Sequence, residues 1–489
     1  MVDSVYQGHA LDILGGFPDG YFDSVFTSPP YYFARDYGIE PIVWDGDNSC
    51  CHEWQNIVAD IDNLRYRGLG ANTGNNRNKD IFSISRQNQE SCSKCGAWKG
   101  NLGQESHPDL YIAHLMQVFT ECMRVLKPSG SLWINIDDSH ASKGNQTFDK
   151  NKYNGKNGIQ CGRARNVMGV NAKSLIGIPA RLELAMIDAG WIVRNKIVWQ
   201  KPNACPESAT DRFTIDYEPI FFVCKNSKTL WWKNTKTKRM VSKKPLGIKG
   251  IEGIDWDWDD CRQCQGAGCR VCGNTGKKKK SNWQGRDYYF NQQFEPQQDS
   301  SIIRANNEFN SEKATSIHAG YSIEKQRRYA EKVRNTNNPM RNCRAVWSIS
   351  TRGLHDSHFA VFCTDLAERV IDTSVPFQIC DTCGLPREKI YGCGDKVCAG
   401  GGSKKSSIGQ NSTPYIDSYE YVNNGLTTCD CENPTYHVGV ILDPFGGSGS
   451  TAVQAKAMGR HYVLIDSNAD YVKMAERRIA STVYQPELW

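Results

Sequence analysis

Two short segments near opposite ends of the chain constrain its fold more than any other feature. Residues 27–32 read Thr-Ser-Pro-Pro-Tyr-Tyr and end a strand-like run at 23–27, whereas residues 443–451 read Asp-Pro-Phe-Gly-Gly-Ser-Gly-Ser-Thr and follow an apolar run at 438–442. Proline lacks a backbone N–H and ends the first strand, while glycine lets the second strand turn directly into a helix. Nearly the whole chain lies between these segments, so we predict that it folds head to tail around a shared cleft.

The second segment predicts a site for a nucleoside-containing cofactor. Its glycine turn leads into a predicted helix at 452–458, and Asp466 ends the next predicted strand at 461–465. Backbone N–H groups at a helix N-terminus bind carboxylates, and an acid at the end of the second strand binds ribose hydroxyls. The turn lacks the Gly-Lys-Ser/Thr ending of a triphosphate site, which leaves nicotinamide cofactors and S-adenosylmethionine as candidates. The candidate cofactor-binding residues are Asp443, Pro444, Phe445, Gly446, Gly447, Ser448, Gly449, Ser450, Thr451 and Asp466.

The first segment predicts a site that holds a flat base through its amino group. Its prolines leave nearby carbonyls without strand partners, so the Pro29 carbonyl and the Ser28 hydroxyl can both accept hydrogen bonds. Two acceptors on a base amino group would turn its delocalised lone pair toward an activated methyl group, and Tyr31 offers a ring for stacking. Positioning of this kind can supply most of the catalysis. The candidate catalytic residues are Ser28, Pro29, Pro30 and Tyr31; the alternative is an ordinary strand end.

Together the two segments resemble those of the amino-methylating DNA methyltransferases, and their order is similar to that of the permuted beta class. Further similar segments lie at 35–38, 135–139, 199–203, 211–212, 346–349 and 358–360. The resemblance implies a doubly wound, Rossmann-like α/β core that binds S-adenosylmethionine, with His358 and Phe359 beside the cofactor. It also implies double-stranded DNA as the partner, from which the target base is flipped. The resemblance is strongest to zinc-cysteine-bearing members from phages and prokaryotes.

The residue at position 28 bears on which base is methylated. In the family that the chain resembles, serine before the two prolines is more usual in enzymes that methylate cytosine N4, and aspartate in those that methylate adenine N6. Ser28 therefore implies cytosine N4, with adenine N6 as the alternative. A catalytically decayed, zinc-rich nucleic-acid-binding protein is a further alternative, against which the intact segments argue.

The 20 cysteines of the chain fall mostly into clusters whose spacing is typical of structural zinc. In a reducing compartment, clustered cysteines indicate metal instead of disulfides. Sets of four ligands leave no open position, so we predict structural metal at up to three sites. The ligand sets are Cys50, His52, Cys92 and Cys95; Cys261, Cys264, Cys269 and Cys272; and Cys380, Cys383, Cys429 and Cys431. Cys51 competes in the first set, and Cys393 and Cys398 compete in the third.

The chain alternates between core-like segments and polar insertions. We predict catalytic core at 1–48, 106–225, 341–373 and 436–489, zinc insertions at 49–105 and 374–435, and a basic, zinc-containing target-recognition region at 226–340. The net charge of +6 is modest, but positive charge concentrates in that last region, at residues 277–280. Lysines beside aromatic residues, as at 283–286, suit a phosphate backbone.

The sequence also bears on location and partners. Residues 1–4 lack the basic start of a secretory signal peptide, and no apolar stretch reaches the ~18 residues needed to span a bilayer. We therefore expect a cytoplasmic protein, encoded by a prokaryotic host or a phage, without membrane contact. A cognate restriction nuclease is a candidate partner, and the oligomeric state is left open.

Overall fold

A computed structural model describes most of the chain. The described residues are 2–32, 39–47, 49–56, 90–141, 170–207, 209–243, 250–261, 263–264, 267–296, 340–351, 363–397 and 418–485. His358 and Phe359, together with the family-like segment 35–38, lie outside them. No helix among the described residues has the length and apolar character needed to cross a membrane.

Helices and strands within those ranges are numbered in chain order. The helices are α1 (Ala10–Gly15), α2 (Pro108–Val125), α3 (Ile178–Asp188), α4 (Thr364–Ser374), α5 (Ser450–Ala457) and α6 (Ala469–Ala480). The strands are β1 (Ser4–Gln7), β2 (Phe22–Thr27), β3 (Ile42–Trp44), β4 (Trp54–Asn56), β5 (Glu90–Cys92), β6 (Trp98–Gly100), β7 (Leu126–Asn135), β8 (Ile192–Gln200), β9 (Tyr217–Cys224), β10 (Trp231–Asn234), β11 (Arg239–Val241), β12 (Trp256–Asp260), β13 (Lys277–Ser281), β14 (Trp283–Arg286), β15 (Phe294–Pro296), β16 (Met340–Asn342), β17 (Val346–Ser348), β18 (Ile379–Cys380), β19 (Lys389–Val397), β20 (Ser418–Leu426), β21 (Thr428–Cys429), β22 (Tyr436–His437), β23 (Val440–Asp443) and β24 (His461–Asp466).

The core is an eight-stranded sheet in the order β1-β24-β23-β2-β7-β9-β8-β17. Its neighbouring strands are parallel except around β9, which is antiparallel to both β7 and β8. The strands β2 and β23 are buried along their whole length, as expected when helices cover both faces of a parallel sheet. The carboxyl ends of β2 and β23 therefore lie side by side.

Successive side chains along each strand enter two different cores, because they point to opposite faces of the sheet. On β2, Val25 packs with residues of α1, α2 and α3, whereas Phe26 packs with residues of α4, α5 and α6. The same alternation occurs on β7, where Leu132 and Ile134 join the first core and Trp133 the second. The prediction of an α/β core with helices on both faces of one sheet is confirmed.

All eight strands of the central sheet fall within the four segments predicted as core. The remaining strands form small sheets, with orders β3-β6-β5-β4, β14-β10-β11-β21, β12-β13, β15-β16, β18-β22 and β19-β20. Strand β3 starts the first of these inside the segment 1–48, so this small sheet begins before the predicted insertion does. The domain boundaries otherwise stay predictions.

The connection from α2 to β7 is more direct than its sequence predicts. Residues 127–130 read Lys-Pro-Ser-Gly, which predicts a break between the helix and a strand that begins at 131. In the structure, β7 begins at Leu126, directly after the helix. The register with β2 shifts in this stretch, from Phe22 opposite Leu126 to Ser24 opposite Ser131. A strand tolerates proline at such an irregularity, so Pro128 interrupts the pairing without ending the strand.

Candidate active site and cysteine clusters

The two predicted segments are joined by a buried carboxylate. Strands β2 and β23 pair in parallel, with Ser24 opposite Ile441. The Thr27 hydroxyl donates to Asp443 Oδ1 at 2.7 Å, and the Thr451 hydroxyl donates to Asp443 Oδ2 at 2.7 Å. Asp443 is 1% exposed, and burial raises its pKa to about 6 although the two threonine hydrogen bonds favour the charged form. Both carboxylate oxygens are thus engaged inside the protein, where they connect the end of β2 to the start of α5.

The cofactor loop, residues 444–449, is shaped mainly by its own backbone. Gly446 donates from its N–H to the Ile465 carbonyl at 2.8 Å, and a Cβ at this position would lie 2.1 Å from Leu464 Cγ. Gly447 and Gly449 have φ angles of +51° and +84°, in the left-handed region that glycine enters without strain. The loop therefore requires glycine at 446 for space and favours it at 447 and 449 for conformation.

The groups around this loop fit a polar, nucleoside-containing ligand. Asp466 Oδ2 accepts from the Gly447 N–H at 2.7 Å, and burial raises the pKa of this carboxyl. Ser450, the first residue of α5, has a buried hydroxyl without a hydrogen-bond partner among the described residues. A buried hydroxyl at a helix N-terminus suits a polar ligand group. Residues 443–451 and Asp466, named above for cofactor binding, thus lie together, and their roles stay predictions.

The acceptor loop, residues 28–32, is held by side chains that are distant in sequence. The Ser28 hydroxyl donates to the Tyr31 hydroxyl at 3.2 Å. The Tyr31 hydroxyl oxygen lies 2.8 Å from Glu218 Oε2 and 3.1 Å from Asn135 Oδ1, two acceptors for its single proton. Burial and then the Glu218 carboxylate raise the pKa of Tyr31 well above its usual value, so the phenol stays protonated. The Pro30 carbonyl accepts from the Tyr111 hydroxyl at 2.7 Å.

Glu218 and Lys201 complete this network and were not singled out from the sequence as site residues. Lys201 forms an ion pair with Glu218 Oε1, and its ammonium lies 4.7 Å from the centre of the Trp199 ring. Asn135 donates to Glu218 Oε2 at 2.9 Å. Burial and then Glu218 raise the pKa of nearby Asp137 to about 6. The sequence carries one signal for Glu218, which is an acid directly before the apolar run 219–224.

Two of the predicted ligand sets come together completely. Cys50, His52, Cys92 and Cys95 form a first cluster, and Cys380, Cys383, Cys429 and Cys431 form a third cluster; within each cluster the ligand atoms lie within 4.8 Å of one another. Thiolates 2.3 Å from a tetrahedral zinc ion lie about 3.8 Å apart. The Cys50 and Cys92 sulfurs are 3.9 Å apart, which fits that geometry. The competitor Cys51 is exposed outside the first cluster.

The first and third clusters share one turn geometry. In each, the first cysteine of a Cys-x-x-Cys-Gly stretch accepts at its carbonyl from the glycine N–H, at 2.9 Å for Gly96 and 2.8 Å for Gly384. Both glycines have positive φ angles, +77° and +67°. Burial alone would disfavour the Cys92 thiolate, but backbone N–H donors and the His52 side chain outweigh it and lower the pKa to about 6. Such a turn presents two sulfurs to one metal ion.

The second cluster lies in the turn of the β12–β13 hairpin. Cys261, Cys264 and Cys269 converge there, with the Cys261 and Cys269 sulfurs 3.7 Å apart. The predicted fourth ligand, Cys272, ends a short 3-10 helix (Arg270–Cys272), and its side chain lies outside the described part of the structure. The side chain of Cys393 and all of Cys398, the rival ligands of the third cluster, also lie outside it.

Strand β14 is less available for recognition than its composition suggested. Trp283 is 5% exposed and donates from its indole N–H to Asp255 Oδ1 at 2.9 Å. The guanidinium of Arg286 donates to Glu388 Oε1 at 3.1 Å. These two side chains therefore support the small sheet that contains β14.

Comparison with known proteins agrees with this architecture. The profile of the DNA methylase family designated N6_N4_Mtase matches residues 22–377 and 432–477, which is well over half of the chain. The chain belongs to this family. The prediction from the acceptor and cofactor segments is thus confirmed at the level of the family.

Individual relatives share about 30% identity with this chain over about half of its length. The Type II methyltransferase M.SmaI of Serratia marcescens is 30% identical over 233 residues, which are 47% of this chain and 59% of that protein. The Type II methyltransferase M.Cfr9I of Citrobacter freundii is 28% identical over 237 residues, 48% of this chain and 59% of that protein. The chain thus spans less than two thirds of these relatives. The solved structure of the cytosine-N4-specific PvuII DNA methyltransferase aligns over 99% of this chain and 89% of its own, at 12% identity and a TM-score of 0.39, too low to support an argument.

Proposed function

We propose that the chain transfers a methyl group from S-adenosylmethionine to the exocyclic amino group of a flipped base in double-stranded DNA. The observation that carries this proposal is the Thr27–Asp443–Thr451 contact, which sets the acceptor loop beside the cofactor loop. When bound, the cofactor supplies an electrophilic methyl group on a sulfonium. The residues proposed to hold it are 443–451 and Asp466, with His358 and Phe359 as further candidates.

The Ser28–Tyr31 contact suits Ser28 for the acceptor role. A hydroxyl has one proton and two lone pairs. Because the Ser28 proton is directed to the Tyr31 hydroxyl, the lone pairs of Ser28 are available to a base amino group. The Tyr31 proton is in turn directed to the side of Glu218 and Asn135, with Glu218 Oε2 the nearer acceptor, so the network fixes the orientation of both hydroxyls. Ser28, with a main-chain carbonyl, would hold the amino hydrogens while the lone pair of the nitrogen faces the methyl group.

Serine at position 28 favours cytosine N4 as the methylated atom, and adenine N6 is the second candidate. The decisive experiment incubates the protein with S-adenosylmethionine and duplex DNA of mixed sequence, then digests the DNA to nucleosides for mass spectrometry. We expect N4-methylcytosine. N6-methyladenine would replace the first candidate by the second, and the absence of any methylated base, with cofactor shown to bind, would refute the proposal.

Matched serine variants test the acceptor role. Ser28→Ala should lower kcat by about 10²-fold because a positioned acceptor is lost, while the Kd for S-adenosylmethionine stays unchanged. Ser481→Ala is the control, because Ser481 is exposed and its hydroxyl donates to the Arg478 carbonyl at the end of α6. Equal rates in both variants would place the acceptor elsewhere.

The β12–β13 hairpin is the surface that we propose for contact with DNA. Trp258 and Lys279 are directly opposite and therefore share a face, and Lys279 also lies 3.9 Å from the centre of the Trp256 ring. On the other face, Lys280 pairs with Asp259 at 3.4 Å, so its charge is partly balanced. Trp258 is 46% exposed, and the lysines at 277–280 are exposed. Cation and aromatic side chains on one face suit a phosphate backbone and unstacked bases.

Structural zinc is proposed at the three clusters. Metal ordering would compensate for the small apolar cores of these polar insertions. Elemental analysis of the purified protein should find up to three zinc ions per chain. Cys92→Ser and Cys380→Ser should each remove one zinc ion, and unchanged zinc content in both would refute the first and third sites. A cognate restriction nuclease stays a proposed partner.

A further inference from the structure

A buried histidine contacts one buried carboxylate and one partly exposed carboxylate between helix α2 and the small sheet β3-β6-β5-β4. His114 and Glu105 are both 0% exposed. The distance from His114 Nδ1 to Glu105 Oε1 is 2.9 Å, and that from His114 Nε2 to Asp45 Oδ2 is also 2.9 Å. The rings of Trp44 and Trp98 stack on the imidazole, with centroid distances of 4.8 and 5.0 Å. Each ring nitrogen of His114 thus faces a carboxylate, and two indole rings stack on its imidazole, so the position of the ring is fixed.

Such an arrangement is unlike an ordinary buried histidine of an apolar core. Burial raises the pKa of Glu105, and the hydrogen bond from His114 opposes this rise. A buried carboxyl group is retained at a cost unless its hydrogen bonds are satisfied. Glu105 has both oxygens engaged, since Oε2 accepts from the Gly103 N–H at 2.8 Å. The burial and the satisfied hydrogen bonds of Glu105 indicate a structural role for Asp45, His114 and Glu105, and the segments that they contact indicate which one.

One end of this group reaches the acceptor loop. Gly103 has a φ of +90°, and a Cβ there would lie 3.0 Å from the Tyr31 carbonyl oxygen and 3.3 Å from that of Pro30. Its backbone is thus packed directly on the acceptor loop. Helix α2 reaches the same loop through the Tyr111 hydroxyl, which donates to Pro30 and lies about one turn before His114. The acceptor loop is thus contacted from one side by Gly103, which precedes α2, and by Tyr111 on α2.

The other end reaches the first cluster. Asp45 precedes Gly46, where a Cβ would lie 3.0 Å from the Cys95 sulfur and 2.6 Å from Ala97 Cβ. Segment 44–46 is therefore packed on the Cys92–Cys95 turn. We propose that the Asp45–His114–Glu105 relay positions the acceptor loop for methyl transfer and connects it to the first cluster. This inference rests on the proposed function of the acceptor loop, and it makes Glu105 and His114 positioning residues.

The test compares Glu105 variants of the full chain. Glu105→Leu removes both hydrogen-bond acceptors, and we expect kcat for methylation of duplex DNA to fall about tenfold or more because the acceptor loop shifts. The Kd for S-adenosylmethionine should change less than about twofold, since the cofactor loop has separate supports. Glu105→Gln keeps one acceptor for the Gly103 N–H and should recover part of the lost rate. Glu90→Gln is the control, because the ion pair of Glu90 among the described residues is with Lys99 on the same small sheet.

A second readout does not depend on catalysis. Hydrogen exchange, followed by mass spectrometry, should be faster in Glu105→Leu for peptides that contain residues 27–32 and 101–105, and unchanged in Glu90→Gln. Asp45→Ala, at a partly exposed position, should shift kcat and exchange in the same direction and replaces Glu105→Leu if that variant fails to fold. Wild-type kcat and exchange in the Glu105 and Asp45 variants would overturn the relay. Faster exchange without methylation by the wild type would instead retain the relay and refute the proposed function.

Discussion

The cofactor loop and the acceptor loop end neighbouring strands of one sheet, yet they are held in different ways. The cofactor loop is fixed by its own glycines and by backbone hydrogen bonds, such as that from Gly446 to Ile465. The acceptor loop is fixed by side chains from Asn135 and Glu218, which lie 104 and 187 residues from Tyr31 in sequence. The conformation of the cofactor loop can be recognised from its own sequence. The sequence of the acceptor loop reveals its candidate site residues but not the distant residues that hold them in place.

This difference predicts separable effects of mutation. Changes around the cofactor loop should alter cofactor affinity, and changes around the acceptor loop should alter turnover at saturating cofactor. Asp443 is the exception, because it receives a hydrogen bond from each side. The four predictions below are ordered by the size of the expected effect.

The largest effect is expected at Glu218. Glu218→Leu leaves the Lys201 ammonium and the Tyr31 hydroxyl without their buried partner. Breaking a buried ion pair by removing one member typically costs about 3–5 kcal/mol, so we expect strong destabilisation and loss of turnover. Chemical denaturation and initial rates measure the two effects. Glu183→Leu is the control, because its pair with Lys196 is more exposed and should be worth less than about 1 kcal/mol.

If Glu218→Leu stays folded, its Kd for S-adenosylmethionine tests whether the two loops are supported separately. We expect Glu218→Leu to bind S-adenosylmethionine as the wild type does. A parallel loss of cofactor affinity and turnover would contradict the comparison, since it would make Glu218 part of a support shared by both loops.

The next largest effect is expected at Gly446. Alanine there would place its Cβ within 2.1 Å of Leu464 Cγ, so the loop or the buried leucine must move. Overpacking of this kind costs up to about 3 kcal/mol, and we expect the Kd for S-adenosylmethionine to rise by more than about tenfold. Gly447→Ala is the matched control, because a Cβ at this position meets nothing within 4 Å and only its positive φ disfavours alanine. Calorimetric titration should give a higher Kd for Gly446→Ala than for Gly447→Ala. Similar Kd values for the two variants would show that the contact with Leu464 does not matter for cofactor binding.

Much of the cofactor half could be predicted from the sequence, and the reason is local. Glycines between an apolar strand and a helix encode their turn within nine residues, and the Cys-x-x-Cys-Gly stretches encode their turns within five. The ligand sets of the first and third clusters could be predicted for the same reason, because each combines two pairs of ligands that are close in sequence.

The supports of the acceptor loop could not be predicted in this way. Glu105, His114 and Glu218 are single polar residues in different segments, and only the fold brings them to one place. Strand β9, which carries Glu218, was expected only as part of the core segment 106–225. Its antiparallel insertion between β7 and β8 depends on pairing across the sheet, which no local pattern specifies.

The third prediction concerns the pH dependence of stability through Asp443. Its pKa in the folded protein is about 6, against an ordinary value of 3.8. A raised pKa means that the folded state binds the proton more tightly, so this contribution is present at low pH and is lost as pH rises through about 6. Asn is neutral throughout, so the free energy of unfolding of the wild type relative to Asp443→Asn should fall by about 2 kcal/mol between pH 4.5 and pH 7.5. Urea unfolding at both pH values measures this, and a difference that does not vary with pH would show that Asp443 is charged throughout.

The smallest effects are expected at the two threonines that share the Asp443 carboxylate. Valine has nearly the same shape as threonine, so Thr27→Val and Thr451→Val each remove one hydroxyl and its 2.7 Å hydrogen bond with little change in packing. Each loss should cost about 1 kcal/mol. Thr27 lies at the end of β2 and should affect mainly kcat, whereas Thr451 lies in α5 and should affect mainly the cofactor Kd. If the carboxylate couples the loops, the stability loss of the double variant will differ from the sum of the two single losses by at least about 0.5 kcal/mol. Additive losses would mean that the two loops are adjacent but independent, and that methyl transfer depends on their separate positions alone.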